Sequence, residues 1–174
     1  KDPAQDWLST GIGETLTVKL GQVPSLIVVE RMRLADAMKE LKLQDTAVVD
    51  PATAAKIGKV VGAQTIVLGA IQKVGDEIRL TARFVEADTG TVTNTAQADG
   101  TVKEVFDLQD RLADALLKSL DMKVSAEVNE KMRARPTEDM AAYEAYSNGV
   151  SSMQSGDYDK AAEELKKASE KDAA

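Results

Sequence analysis

The triplet Asp88-Thr89-Gly90 comes nearest to catalytic chemistry among the residues of this chain. An aspartate in such a triplet, set against a second across a dyad, shares a proton with it and activates a water molecule. The chain holds one copy, so a homodimer would have to supply the other carboxylate. Asp and Gly are also what a tight turn between two strands demands for backbone reasons alone, and that reading is preferred. Gly11-Ile12-Gly13 superficially matches a phosphate-binding loop, but no strand precedes it and the third glycine is missing, so nucleotide binding is not expected. Asp45, Asp50, Asp76 and Glu77 offer the hard oxygens that calcium takes, yet without the alternating ligands and closing Glu of a calcium loop. Capping and solvation account for them.

The sequence contains no His and no Cys. That removes the commonest proton shuttle and metal ligand together with thiolate nucleophiles, so serine-histidine, cysteine-histidine and zinc-finger chemistry are excluded. Neither a cofactor nor a metal is expected. Lys and Arg total 22 against 29 for Asp and Glu, and the net charge of −7 repels a polyanion, which argues against nucleic-acid binding. With 43% hydrophobic residues and four prolines, the 174-residue chain is of globular type, long enough for one domain with a core and a small appendage. No apolar run approaches the roughly 20 residues that span a bilayer, since Val23 to Val29 is broken by Pro24 and Ser25. The chain starts Lys1-Asp2-Pro3, with neither an initiator Met nor the pattern of a signal peptide, and is expected to be a mature or trimmed fragment. Lack of Cys leaves the redox compartment open.

The elements that would position these residues follow from periodicity. Leu8, Ile12, Leu16 and Leu20 recur every four positions and predict a helix over 5–20, ended by Gly21 and Pro24. Leu26-Ile27-Val28-Val29 predicts a short strand buried on both faces. Leu34, Met38 and Leu41 mark a second helix, and Ala54, Ile57 and Val61 a third, capped by Asp50, begun by Pro51 and closed by Gly62. Thr65 to Ile71 is apolar on both parities and predicts a central strand. Between Glu77 and Glu86, Ile78, Leu80, Ala82 and Phe84 alternate with polar residues, which predicts one core face and one wet face. Tight turns at Val74-Gly75-Asp76 and 87–90 make the next Thr-rich strand, 91–98, the end of an antiparallel meander and an edge. A long amphipathic helix through Val105, Leu108, Leu112, Leu116 and Leu120 would cover the sheet, with a shorter one through Val124, Val128 and Met132. Pro136 breaks the chain, and Thr137 is expected to cap a further helix carrying Glu138 and Asp139 in its first turn.

Two stretches resemble known families. Gly149, Gly156-Asp157-Tyr158, Ala161, Leu165 and Ala168 are spaced as in a tetratricopeptide repeat, in which small residues let two antiparallel helices approach closely. Ala173 stands where that family places a proline, and Ala145 where it often has an aromatic. Val29-Glu30-Arg31, Leu34, the run from Asp50 to Gly58, Gly62-Ala63, Ile66-Val67-Leu68-Gly69 and Asp88-Thr89-Gly90-Thr91-Val92 are similar to the family of TolB amino-terminal domains and CsgG-like envelope proteins. Asp6-Trp7-Leu8 with Gly11 and Leu16 looks like that family's first helix. The resemblance implies a small mixed sheet flanked by helices, in bacterial envelope lipoproteins, secretion-channel components and activators of cell-wall synthases. Members usually begin with a strand that has no counterpart here, where only Lys1 to Pro3 precede helix-like sequence. The strands are joined by short turns, without the long hairpins of pore-forming relatives, so membrane insertion by this segment is not expected.

The sequence therefore reads as an α/β (α+β) chain: a small mixed sheet flanked by helices over 1–122, a linker helix over 123–136, and a helical hairpin of tetratricopeptide type over 137–174. The expected role is a non-catalytic scaffold or adaptor in the periplasm or at the outer membrane, with other envelope proteins and further copies of itself as partners. A subunit of a ring or secretion channel is the alternative, and a dimeric aspartic protease the alternative of another class. Tyr143, Tyr146, Val150 and Met153 are the candidate protein-binding residues, since amphipathic aromatics and Met favour recognition surfaces. Glu163, Glu164, Lys166, Lys167, Glu170 and Lys171 form a solvated helix face.

Overall fold

The computed structural model describes residues 6–43 and 49–172. Helix α1 (Asp6–Gly21) leads through a loop to α2 (Arg31–Glu40) and α3 (Pro51–Val61). Three strands follow, β1 (Thr65–Val74), β2 (Glu77–Glu86) and β3 (Val92–Thr101), then α4 (Val105–Ser119), α5 (Ala126–Arg133), α6 (Met140–Ser155) and α7 (Tyr158–Lys171). The architecture is mixed α and β, and it ends in a helical hairpin.

Local signals place most boundaries. Asp50 Oδ1 accepts from the Thr53 amide at 2.8 Å to start α3, and Gly62 closes it at φ 71°, a left-handed conformation that glycine adopts without a Cβ clash. Gly75 and Gly90 take positive φ in the turns that join the strands. The strands pair in the order β1-β2-β3, both ladders antiparallel, with a bulge between Phe84 and Val85. Ile78, Leu80, Ala82 and Phe84 on β2 lie buried on one face beside Ala96 and Ala98 of β3. Onto that face α4 lays Val105, Leu108, Leu112 and Leu116, and α1 adds Trp7, Leu8 and Ile12. Removing each large apolar side chain from water contributes about 1.5–3 kcal/mol, so this cluster anchors the molecule. A second cluster joins Val23 to Ala113, Leu117 and Met132, and a third joins Ala37 of α2 to Ile57 and Val61 of α3.

Three expectations need correction. Leu26 to Val29 is not a strand, and Ile27 is 99% exposed. The side chains explain why: Val23 and Leu26 pack with α4 and α5, while Val29 packs with α2 and α3. Anchored in two different clusters, the segment bridges them rather than joining a ladder. As a result β1 is an edge strand instead of a central one, and the expected mixed sheet has only antiparallel ladders among the described residues. Finally, Thr137 does not cap the helix after Pro136. Asp139 does, accepting from the Ala142 amide at 2.8 Å, and Thr137 Oγ1 instead accepts from the Asp139 amide. The Asp side chain two residues later offers a charged acceptor to the helix N-terminus, a stronger cap than the hydroxyl.

Candidate functional site

The last hairpin does not stand apart from the sheet. Its first helix, α6, packs on α1, and the two approach tightly at Gly11, where an added Cβ would collide with Ser147 and Tyr143. Gly13 is similarly filled by the Arg31 guanidinium. The two glycines that mimic a phosphate loop are thus interior positions of α1. Glycine there weakens the helix by about 1 kcal/mol relative to Ala, and here it admits a neighbouring side chain.

Tyr143 occupies the junction of α1, α4 and α6. Its ring meets Trp7 and Phe106 edge to face, with centroids 6.0 and 5.2 Å apart. Its hydroxyl accepts from Gln109 Nε2 at 2.7 Å and stands 3.4 Å from Thr15 Oγ1. Burial pushes the phenol up to about 12. Close by, Lys19 and Asp110 form a buried ion pair of 2.7 Å, and Lys19 also donates to the Met132 carbonyl. One Arg135 nitrogen donates to both Asp110 Oδ2 and Asp107 Oδ1 at 2.6 Å. Burial alone would raise the Asp110 carboxyl, but its bonds to Lys19 and Arg135 outweigh this and hold it below the usual aspartate value. These groups open onto a cleft of about 630 Å³ lined by Asp107, Asp110, Arg111, Arg133, Arg135 and Glu138. Three acids face three arginines, and Arg133 is itself held by Asp114 at 2.6 Å. Such an array fixes charge in place; it can orient a charged partner surface, but with its carboxylate held ionised it is poorly suited to proton transfer.

Of the residues singled out from the sequence, Tyr143 and Val150 are buried within the fold. Tyr146 is 44% exposed and Met153 partly buried. Gly149 faces Leu165 across the hairpin, and Ala161 is buried there, as the small-residue pattern requires. Gly156 takes φ 88° and Asp157 caps α7, so the Gly-Asp-Tyr turn joins the helices as expected. On α7, Lys167 pairs with Glu163 and Glu164, and Lys166 with Glu170, on an exposed face. Asp88-Thr89-Gly90 forms the turn between β2 and β3, where Thr89 donates to Glu86 at 2.7 Å and Gly90 has φ 73°. Asp45 lies outside the described residues, and Asp50 serves as a cap. Among the described residues no cluster of three or more acidic side chains is arranged to hold a metal ion.

Sequence reasoning missed the buried ion pair. The signal was there: Lys19 falls on the apolar stripe of α1, three residues after Leu16 and seven after Ile12. Asp110 likewise precedes Ala113 and Leu117 at spacings of three and seven on α4.

No helix among the described residues is long and apolar enough to cross a membrane. Comparison with known proteins gives two likenesses. The chain is 24% identical over 143 residues to a protein of Rhizobium meliloti (strain 1021) named "Putative adenylate cyclase 3", an alignment covering 82% of this chain. It spans only 23% of that relative's length. No solved structure gives a significant match. The family model described as "Curli production assembly/transport component CsgG" matches residues 3–79, a stretch that takes in α1, α2, α3, β1 and the start of β2, so this part of the chain is similar to CsgG.

Proposed function

We propose that this chain is a non-catalytic interaction scaffold of the bacterial cell envelope, with its final hairpin a tetratricopeptide-type unit and its sheet domain of the TolB amino-terminal and CsgG-like kind. The observation that carries the reading is the likeness of residues 3–79 to a family described as an assembly and transport component. The packing is in keeping with it: α6 is packed on α1, with Tyr146 left partly exposed along that helix and Met153 half-buried. Partly exposed Tyr and Met on a held helix favour protein recognition over the binding of a small molecule. A role as one subunit of a ring or secretion assembly is the narrower form of the same proposal.

A photo-crosslinking residue at Tyr146 or Met153, introduced in cells, tests it. Discrete adducts recovered with envelope fractions, and absent when the probe sits at Lys166 on the charged face of α7, are the expected result. Equal yields at all three positions would overturn the reading. The relative named as an adenylate cyclase favours a second one, in which the chain is an interaction segment of a longer signalling protein; adducts confined to the cytosolic fraction would select it. In both readings the chain performs no catalysis, and Asp88→Asn is expected to leave every measured property but local turn stability unchanged.

A further inference from the structure

We propose that the charged cleft between α4 and the segment joining α5 to α6 is a binding site for a ligand of the amino-acid class, one that carries both a carboxylate and an ammonium group. The inference stands independently of the scaffold reading, and every residue lining the cleft falls between 107 and 138, well inside the chain. Its starting point is how the charges there pair off. Asp110 is held from within by buried Lys19, Arg135 bonds to Asp107 as well as to Asp110, and Arg133 bonds to Asp114. Two groups are left over. Arg111 forms neither a hydrogen bond nor an ion pair, and Glu138 likewise has no partner among the described residues. Arg111 lies near enough to Asp99 and Glu104 to act on their charges, but Asp99 bonds instead to Arg79 and Glu104 to Thr101. One cation and one anion, both exposed, thus line the same cleft of about 630 Å³ without meeting.

The walls select the ligand. A guanidinium has five N–H donors in a planar fork that matches a carboxylate. Arg111 spends none of them on the protein, Arg133 one and Arg135 two, both from Nη2. Arg135 is also backed by Phe106, over whose ring it sits at 6.0 Å, so its remaining N–H groups are held in place. Donors for an oxyanion are therefore in surplus along the cleft. Phosphate would take them too, but Asp107, 63% exposed, and Glu138 share the site and repel a second negative charge. A carboxylate brings only one. An ammonium group on the same molecule turns Glu138 from an obstacle into a partner. Neither half suffices alone, because an exposed ion pair contributes little against solvent screening and the freedom its ends give up. Joining the halves makes the second contact intramolecular, so affinity rises steeply when the spacer spans the gap.

That spacing is directly readable with ω-amino acids, in which methylenes separate the ammonium from the carboxylate. The chain is titrated calorimetrically with glycine, β-alanine, γ-aminobutyrate and ε-aminocaproate, and with the carboxylate and the alkylammonium ion of each length. One amino acid of the series is expected to bind about tenfold more tightly than either of its one-charge analogues. Arg111→Gln and Glu138→Gln should each remove that advantage. The first should leave alkylammonium binding unchanged and the second carboxylate binding. Both positions are exposed, so melting should not move. Arg83→Gln, an exposed arginine on β2 outside the cleft, should alter none of these affinities. No preference for any amino acid over its one-charge analogues would overturn the proposal, as would a preference that survives both substitutions. Inorganic phosphate that binds more tightly than every amino acid, and is lost in Arg111→Gln, would show a plain oxyanion site and overturn it as well.

Discussion

The two edges of the sheet have opposite treatments. At β3 the ladder carries a bulge at Phe84/Val85, the strand holds Asn94, Gln97 and Asp99, and α4 packs over it with Leu108 and Leu116 fully buried. Asn94 even donates from its side chain to the Ser119 carbonyl at the end of α4. At β1 the ladder runs without a bulge, its one charge is Lys73, and although α1 and α3 touch the strand, Val67 and Val74 stay wet. Among the described residues the β3 side is thus the more fully sealed by helices, and the β1 side the less. The contrast teaches that the stability of this molecule resides on the β3 side, where α1, α4 and α6 converge, while β1 can be altered with little cost to the fold.

The strongest way to break that contrast is at the buried ion pair. Asp110→Ala leaves Lys19 charged and unpaired in the interior, and is expected to lower stability by about 3–5 kcal/mol in urea titrations. Lys19→Met with Asp110→Leu should recover most of the loss, since apolar packing can replace a buried pair. The pH dependence has a definite sign. Because Asp110 is depressed in the folded state, its contribution is fully present above the ordinary aspartate value and is lost as pH falls through the folded one. Asp110→Asn should flatten that acid limb.

Next in size is Leu108→Ala, expected to cost about 3 kcal/mol by leaving a cavity between α4 and the sheet. Tyr143→Phe should cost about 1–2 kcal/mol by orphaning buried Gln109. It should also remove an alkaline effect: with its phenol raised to about 12, Tyr143 loses its contribution as pH rises from the unfolded value near 10 through 12, worth about 3 kcal/mol in full. The smallest effect is on the open side. Val67→Thr is expected to change stability by no more than about 0.5 kcal/mol, and a loss above 1.5 kcal/mol would erase the distinction between the two edges.

Periodicity and caps made most of this architecture legible beforehand. The four-residue spacing of Leu8 and Ile12, the Asp50-Pro51 start and the alternation from Ile78 to Phe84 each report a local physical requirement, and each is met. What escaped depends on neighbours. Leu26 to Val29 has strand-forming residues, but side chains on its flanks are claimed by two clusters that no local pattern displays. Tyr143 resembles a recognition aromatic until α1 and α4 are seen to enclose it. Lys19 and Asp110 are 91 residues apart in sequence and declare themselves only as polar residues on apolar stripes.

The close seat of α1 on α6 carries a consequence in time. Thr15 meets Tyr143 across 128 residues of sequence, and Gln154 donates to Glu14 across 140. Contacts of such separation form late, because a long loop must close before any of them rewards the chain. During vectorial synthesis Trp7 and Leu8 emerge well before α6 yet cannot complete their packing until it has followed. Helix α1, made before the elements it packs on, is therefore among the last of them to be secured, and until then its apolar face stays open to a chaperone.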